Sequence, residues 1–218
     1  MSEEDVDLLE EISQEISDSL NRVCVNGGRA LAIVERMRTM GVEGGEPVPT
    51  ELNAMLPQIV NAGCEVFEAQ WDEFSVQPVF ELDESVGEVP LAERDFGEAI
   101  VNLVSNACYA MMLKREEIGD GYQPTLRVSS HLREDMVEVR VRDNGTGIAD
   151  DVVAHIFNPF FSTRDGALGA GLGLPIAADV ARRLGGHLTV ETTLGEFAEF
   201  TMSIPATASE RAVLVKAD

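Results

Sequence analysis

The alternating segment MVEVRVRD runs straight into DNGTGI, Asp143 to Ile148, and no other stretch limits the possible folds of this chain so strongly. Alternation at period two makes the segment a half-buried strand, so Asp143 stands at a strand end. Gly145 and Gly147 follow, and without side chains they let backbone approach a flat ligand closely. A fixed carboxylate beside such a surface suits a nucleotide base better than a catalytic proton, and it needs a sheet to hold it.

The other segments supply that sheet and its cover. TLRVSSHL forms an antiparallel partner, HLTVETT and FAEFTMSIP close the fold as a hairpin, and SVQPVFELD reads as a strand that Pro78 confines to an edge. Helical spacing runs through TELNAMLPQIVNAGCEVFEA, with Thr50 as its cap and Pro57 marking a kink or a later start. It returns through AERDFGEAIVNLVSNACYAMMLKREE. ADDVVAHIF is a short helix, and GLGLPIAADVARRLGG is a helix opened by glycines and ended by a glycine pair. DESVGEVP is turn material, and NPFFSTRDGALGAG has no period and reads as a mobile loop.

Before these, Leu9, Ile12, Ile16, Leu20, Val23, Gly27, Ala30, Val34 and Met37 keep one stripe of a long amphipathic helix, roughly 45 Å in length. So narrow a stripe fits half of an antiparallel helical hairpin or a dimer seam, which makes a homodimer through this helix an expectation. The chain then divides into a helix over 1–40, a glycine- and proline-rich linker over 41–49, one domain over 50–205 and a tail over 206–218.

A net charge of −23 on 218 residues argues against nucleic acid or an anionic membrane surface as a partner held by general electrostatics. An anionic ligand must be held locally, by backbone amides, a metal ion or a few placed cations. The acidic start, MSEEDVDLLEE, is unlike a signal peptide, and no apolar run reaches the ~20 residues of a membrane span. No span and a cytoplasmic location are therefore expected. Cys24, Cys64 and Cys108 lack metal-ligand spacing and read as small buried residues.

Four pieces stand in fixed order: NLVSNA, with Asn102 and Asn106 four apart on one helical face; DNGTGI; the aromatic loop NPFFSTR; and GALGAGLGLPIA, running into a helix. Each alone is weak, since glycine-rich strings recur widely. Their chemistry fits together as a local anion site beside a flat base. Asp143 can accept a hydrogen bond from the exocyclic amine of adenine, where guanine presents a carbonyl, with Gly145, Gly147 and Ile148 beside it. Asn106 offers a neutral oxygen to an octahedral Mg2+ whose other ligands are phosphate and water. Amides around Gly171, Leu172 and Gly173 lie at a helix N-terminus, where unpaired donors and the helix dipole favour phosphate oxygens. Arg164 adds a cation from the loop.

In order and wording these pieces closely resemble the ATP-binding catalytic domain of sensor histidine kinases, in the superfamily shared with gyrase, Hsp90 and MutL, over roughly Thr50 to Pro205. The resemblance implies an α/β fold, a two-layer sandwich with a mixed sheet covered by helices on one face, here preceded by the long N-terminal helix. ATP would lie under a lid formed by about Asn158 to Ala170. Asn106 would be the magnesium ligand, Asp143 the adenine contact, Gly145 and Gly147 the first glycine box, and Gly169, Gly171 and Gly173 the second. Phe160 and Phe161 match the aromatic box, although by themselves they read equally well as core residues anchoring the lid. GGRALAIVERMRT, trailed by a linker and TELNAML, is similar to the second helix of the family's dimerisation and phosphoacceptor hairpin.

The chain also departs from that pattern. No histidine followed by an acidic residue precedes the linker, and His131, His155 and His187 read as structural or exposed. Ala170 stands where the second box usually has Thr or Ser, and Ala110 where an aromatic often follows the magnesium asparagine, both changes that lower affinity. Asn102 stands where the superfamily's ATPases carry the glutamate that activates water, which favours transfer to a protein side chain over hydrolysis and makes Asn102 and Arg164 the candidate catalytic residues. The expected function is that of a protein histidine kinase module using ATP and Mg2+. Its γ-phosphoryl acceptor would be a histidine on an acceptor domain or hybrid kinase partner, with a response regulator downstream. A non-catalytic ATP-sensing scaffold and an anti-sigma-type serine kinase share the same ATP site and are the alternatives.

Overall fold

The computed structural model describes residues 45–71, 74–164 and 171–207. The expected N-terminal helix, residues 41–44 of the linker, Gly169 and nearly all of the tail lie outside them. The chain divides into two compact units. The larger carries every helix and strand described below, and the smaller includes the segment Asn158–Leu172.

In chain order the larger unit contains β1 (Val48–Glu51), α1 (Leu52–Glu68), β2 (Val79–Leu82), β3 (Glu88–Leu91), α2 (Glu93–Ile118), β4 (Leu126–Arg133) and β5 (Met136–Asp143). It continues with α3 (Asp150–Val153), α4 (Gly173–Arg183), β6 (His187–Thr193) and β7 (Phe197–Pro205). Five strands form one mixed sheet in the order β2-β4-β5-β7-β6, with β2 parallel to β4 and every other pair antiparallel.

Alternation sorts the sheet residues onto two faces. Register aligns Val128, Val141, Phe200 and Val190 in one row, and Ser130, Val139, Met202 and Leu188 in the next. On these rows Val128, Val141, Val139, Phe200 and Met202 are buried, and helices α2 and α4 pack on this side. Each fully buried side chain of this size contributes about 1.5–3 kcal/mol. The opposite face carries charge: Arg140 bonds Glu138 at 2.6 Å and Arg142 reaches Glu199 at 3.5 Å. The result is the expected two-layer α/β sandwich with helices on one face.

Helix α2 is the spine of the helical layer. Phe96, Ile100, Leu103, Val104, Ala107 and Met111 are all buried, as their spacing requires. By length and composition it is the one described helix long and apolar enough to cross a membrane, and half of the window that qualifies is buried inside this fold. Helix α1 crosses it where Gly63 leaves so little room that an added Cβ would stand 3.2 Å from Val104 Cγ1. Cys64 and Cys108 are buried free thiols in these two helices, and their mutual hydrogen bond together with burial pushes the Cys108 thiol up.

Three local expectations are corrected. Thr50 does not cap α1: it belongs to β1, its hydroxyl donates to Val48 O at 3.0 Å, and Glu51 precedes the helix without a side-chain cap. Pro57 does not delay the helix, which starts at Leu52 and runs through it. The turn read into DESVGEVP holds a strand, because its last residues pair with β1 as an antiparallel ribbon in which Pro49 faces Pro90. Neither proline can donate to a ladder, so the signal of both strands is masked in sequence.

Candidate functional site

DNGTGI leaves the end of β5 on the buried face. Asp143 pairs with Leu126 on one side and Ala198 on the other, and only 3% of it is exposed. Its Oδ1 accepts the Gly145 N–H at 2.8 Å, so the turn is closed by the carboxylate itself. Burial lifts the Asp143 carboxyl to about 6, against the pull of the Gly145 and Ala198 amides and the charges of Lys114 and Arg142.

The two glycines are required by close approach. A Cβ on Gly145 would stand 2.6 Å from the Ala110 carbonyl carbon and 2.7 Å from its Cβ, so the turn lies directly against α2. Gly147 has φ of +62° and a Cβ there would collide with the Thr193 carbonyl. The far end of the turn is tied to the β6–β7 hairpin, where Gly195 N–H donates to Thr146 O at 2.7 Å and Ile148 N–H to Thr192 Oγ1 at 2.9 Å. Ile148 is thus held through its backbone.

Helix α2 presents Asn102, Asn106, Ala110 and Lys114 at steps of four, one slowly turning stripe. Asn102 meets the start of α4: a Cβ on Gly173 would stand 3.0 Å from Asn102 Oδ1. Ala110 meets Gly145, and Asn106 lies one turn from each. The span from Asn102 to Ala110 is about 12 Å at 1.5 Å per residue. A helix N-terminus thus stands at one end of the stripe and a buried carboxylate at the other, with a neutral amide oxygen between.

Among the described residues no group of three His, Cys, Asp or Glu side chains could hold a metal ion. A divalent ion on Asn106 would therefore take most of its ligands from phosphate and water, which fits Mg2+. Ala110, read from the sequence as a lost stacking partner, is packed under Gly145.

In the smaller unit Phe160 and Gly171 are interlocked. Phe160 N–H donates to Gly171 O at 2.9 Å, and Phe160 takes a left-handed φ of 69°. Gly171 has φ of +64°, and a Cβ there would stand 2.6 Å from the Phe160 carbonyl carbon. Phe160 and Gly171, one from each of two sequence motifs, thus form one local structure. Leu172 comes directly after, and Arg164 N–H donates to Ser162 Oγ at 3.1 Å. His155 and His187 are exposed, and His131 lies 3.1 Å from Ser129 Oγ.

Sequence reading missed Lys114, Tyr122 and Thr192, which hold the turn. Only Lys114 left a trace, as the next step of the asparagine stripe.

A two-layer sandwich with its glycine turn and helix start gathered along one helix defines an ATPase-type nucleotide fold. The family model described as histidine kinase-, DNA gyrase B-, and HSP90-like ATPase matches residues 92–208, and the chain belongs to that family. Sensor protein FixL of Bradyrhizobium diazoefficiens is 30% identical over 193 residues, 88% of this chain and 36% of that protein. Sensor histidine kinase ZraS of Salmonella typhimurium is 30% identical over 137 residues, 62% of this chain and 27% of that protein. The chain thus spans about a third of the length of these relatives. Among solved structures, the catalytic domain of histidine kinase ThkA superposes with a TM-score of 0.58 at 25% identity, covering 74% of this chain and 97% of that one. Full-length ShkA in complex with AMPPNP shares the fold, with a TM-score of 0.64 at 20% identity over 92% of this chain and 39% of that one.

Proposed function

We propose that this chain is the ATP-binding catalytic part of a two-component sensor histidine kinase, which transfers the γ-phosphoryl of Mg-ATP to a histidine on an acceptor domain. The observation that carries the reading is the α2 stripe, which joins the buried Asp143 turn to the start of α4 through Asn106. Asp143 reads the adenine amine, Gly145, Gly147 and Ile148 form the wall against the base, and Gly173 with the first amides of α4 favours phosphate. Asn106 holds Mg2+, which neutralises charge on the phosphates when bound. For Arg164, Gly169, Gly171 and Leu172 the support is the order of motifs in the sequence. Asn102 cannot take a proton from water, because an amide has no basic site, and this favours transfer over hydrolysis. The chemistry is then mostly positioning and charge neutralisation.

The same reading makes the residues between the N-terminal helix and β1 a linker between a dimerisation helix and the catalytic domain, gives the protein a response regulator as partner, and puts the domain in the cytoplasm. The test is to mix the chain with a phosphoacceptor hairpin domain and γ-labelled ATP. Acid-labile, base-stable label on the acceptor domain is expected. Phosphate release without labelling of that domain would overturn the transfer reading.

A further inference from the structure

The turn that carries Asp143 is gripped from outside by two side chains that the proposed reaction does not use. Lys114 Nζ donates to Asn144 O at 2.7 Å and to Gly145 O at 3.1 Å, and it reaches Glu196 O at 3.4 Å. Its ammonium stands 5.3 Å above the centre of the Tyr122 ring. Tyr122 Oη lies 2.7 Å from Asn144 Oδ1 and donates there, while Asn144 Oδ1 also accepts the Thr125 N–H at 2.8 Å and Asn144 Nδ2 donates to Gln123 O at 2.9 Å. The turn is therefore fixed to α2 through the carbonyls of the Asn144–Gly145 and Gly145–Thr146 peptides, and to the segment before β4 through the Asn144 side chain. One ammonium gathering carbonyls in this way makes charge-assisted bonds, the stronger kind. The reason a grip is needed is visible in Asp143: its Oδ1 is committed to Gly145 N–H, so any shift of that peptide turns the carboxylate with it.

We infer that Lys114 and Tyr122 are positioning residues for base recognition, holding the Asn144–Gly145 peptide so that Asp143 meets adenine in one orientation. This rests on the reading of Asp143 as the adenine contact. Neither residue touches the base; they act through the turn. Losing the ammonium leaves the turn tied by the β6–β7 hairpin, so the fold survives while the aim of the carboxylate loosens.

The experiment compares ATP and GTP binding by calorimetry on the full chain, as wild type, Lys114→Met and Tyr122→Phe. Lys114→Met is expected to weaken ATP by about tenfold, the loss of one hydrogen bond to a charged group, while GTP changes little. Tyr122→Phe keeps the ring under the ammonium and removes one hydroxyl, and it should lower the ATP-to-GTP ratio by about three- to fivefold. General loosening of the protein would weaken both nucleotides together and leave that ratio unchanged. If the wild type prefers ATP and both variants keep its preference, the positioning role is overturned while the site stands. If the wild type binds neither nucleotide, or both alike, Asp143 is not an adenine reader and the inference falls with it.

Discussion

Asp143 sets two pH trends of opposite sign. Its carboxyl, raised from 3.8 to about 6 by burial, binds a proton more tightly in the folded chain than in the unfolded one. Between those values the folded state holds more protons, so this group stabilises the fold fully below its unfolded pKa and loses that contribution as pH rises through about 6. At 1.36 kcal/mol per unit the change is about 3 kcal/mol. The proposed adenine contact uses the ionised form, so ATP affinity should fall as pH drops below about 6. Urea unfolding of wild type and Asp143→Asn at pH 4 and pH 7 isolates the first trend: on going from pH 4 to pH 7 the variant, which cannot titrate there, should gain about 2 kcal/mol relative to wild type. The same variant should bind ATP at least about tenfold more weakly at pH 7, because an amide presents an N–H to the adenine amine or holds the Gly145 amide less well. An equal pH response in the two proteins would show that Asp143 does not titrate in this window.

At the level of elements, the glycine turn is rigid because it is boxed between α2 and the β6–β7 hairpin. Gly147→Ala forces an L side chain into a left-handed φ and against the Thr193 carbonyl, so unfolding free energy should fall by about 1–3 kcal/mol. Gly121→Ala, whose Cβ would meet open space, should stay within about 0.5 kcal/mol. Equal melting temperatures for the two variants would contradict the packing of the turn. Such elements were legible where local pattern and tertiary packing agree. Strands β5 and β6 alternate along their whole length and β7 over its first six residues, and α2 keeps its apolar spacing from Phe96 to Met111. The end of α4 also obeys its glycine pair: Gly186 N–H donates to Ala181 O at 2.8 Å and Gly185 N–H to Arg182 O at 3.0 Å, closing the helix as glycines do there. The β1–β3 ribbon was hidden because Pro49 and Pro90 remove the usual strand signal, and Thr50 was misread because an extended backbone and a helix cap favour the same residue types. In the candidate site, Asn102, Asn106, Asp143 and the glycines are readable because their chemistry lies in their side chains or in having none. Lys114 acts on backbone carbonyls and Tyr122 on the Asn144 side chain, all brought near by folding, and nothing in the sequence marks these as targets.

Over the whole molecule, 39 acidic residues against 16 Lys and Arg give a field that repels the ligand proposed for this site. The first twenty residues contain no Lys or Arg at all, so part of that charge sits on the N-terminal segment. Mg-ATP is itself an anion, and on approach it meets the summed negative potential before it meets any helix start or placed cation. The Debye length falls from about 30 Å at 0.01 M salt to about 8 Å at 0.15 M, so salt removes the long-range repulsion while contacts of about 3 Å inside a packed site are screened far less. The association rate constant for a fluorescent ATP analogue, measured by stopped flow with saturating Mg2+, should therefore rise by about two- to tenfold between these salt concentrations. The dissociation rate should change little, because it depends on the hydrogen bonds at Asp143 and the amides of α4. Affinity then strengthens with salt, the reverse of the trend for a basic nucleotide-binding surface. An association rate that falls with salt would mean that local cations such as Arg164 steer the encounter despite the net charge, and neutralising Arg164 should then abolish the salt dependence.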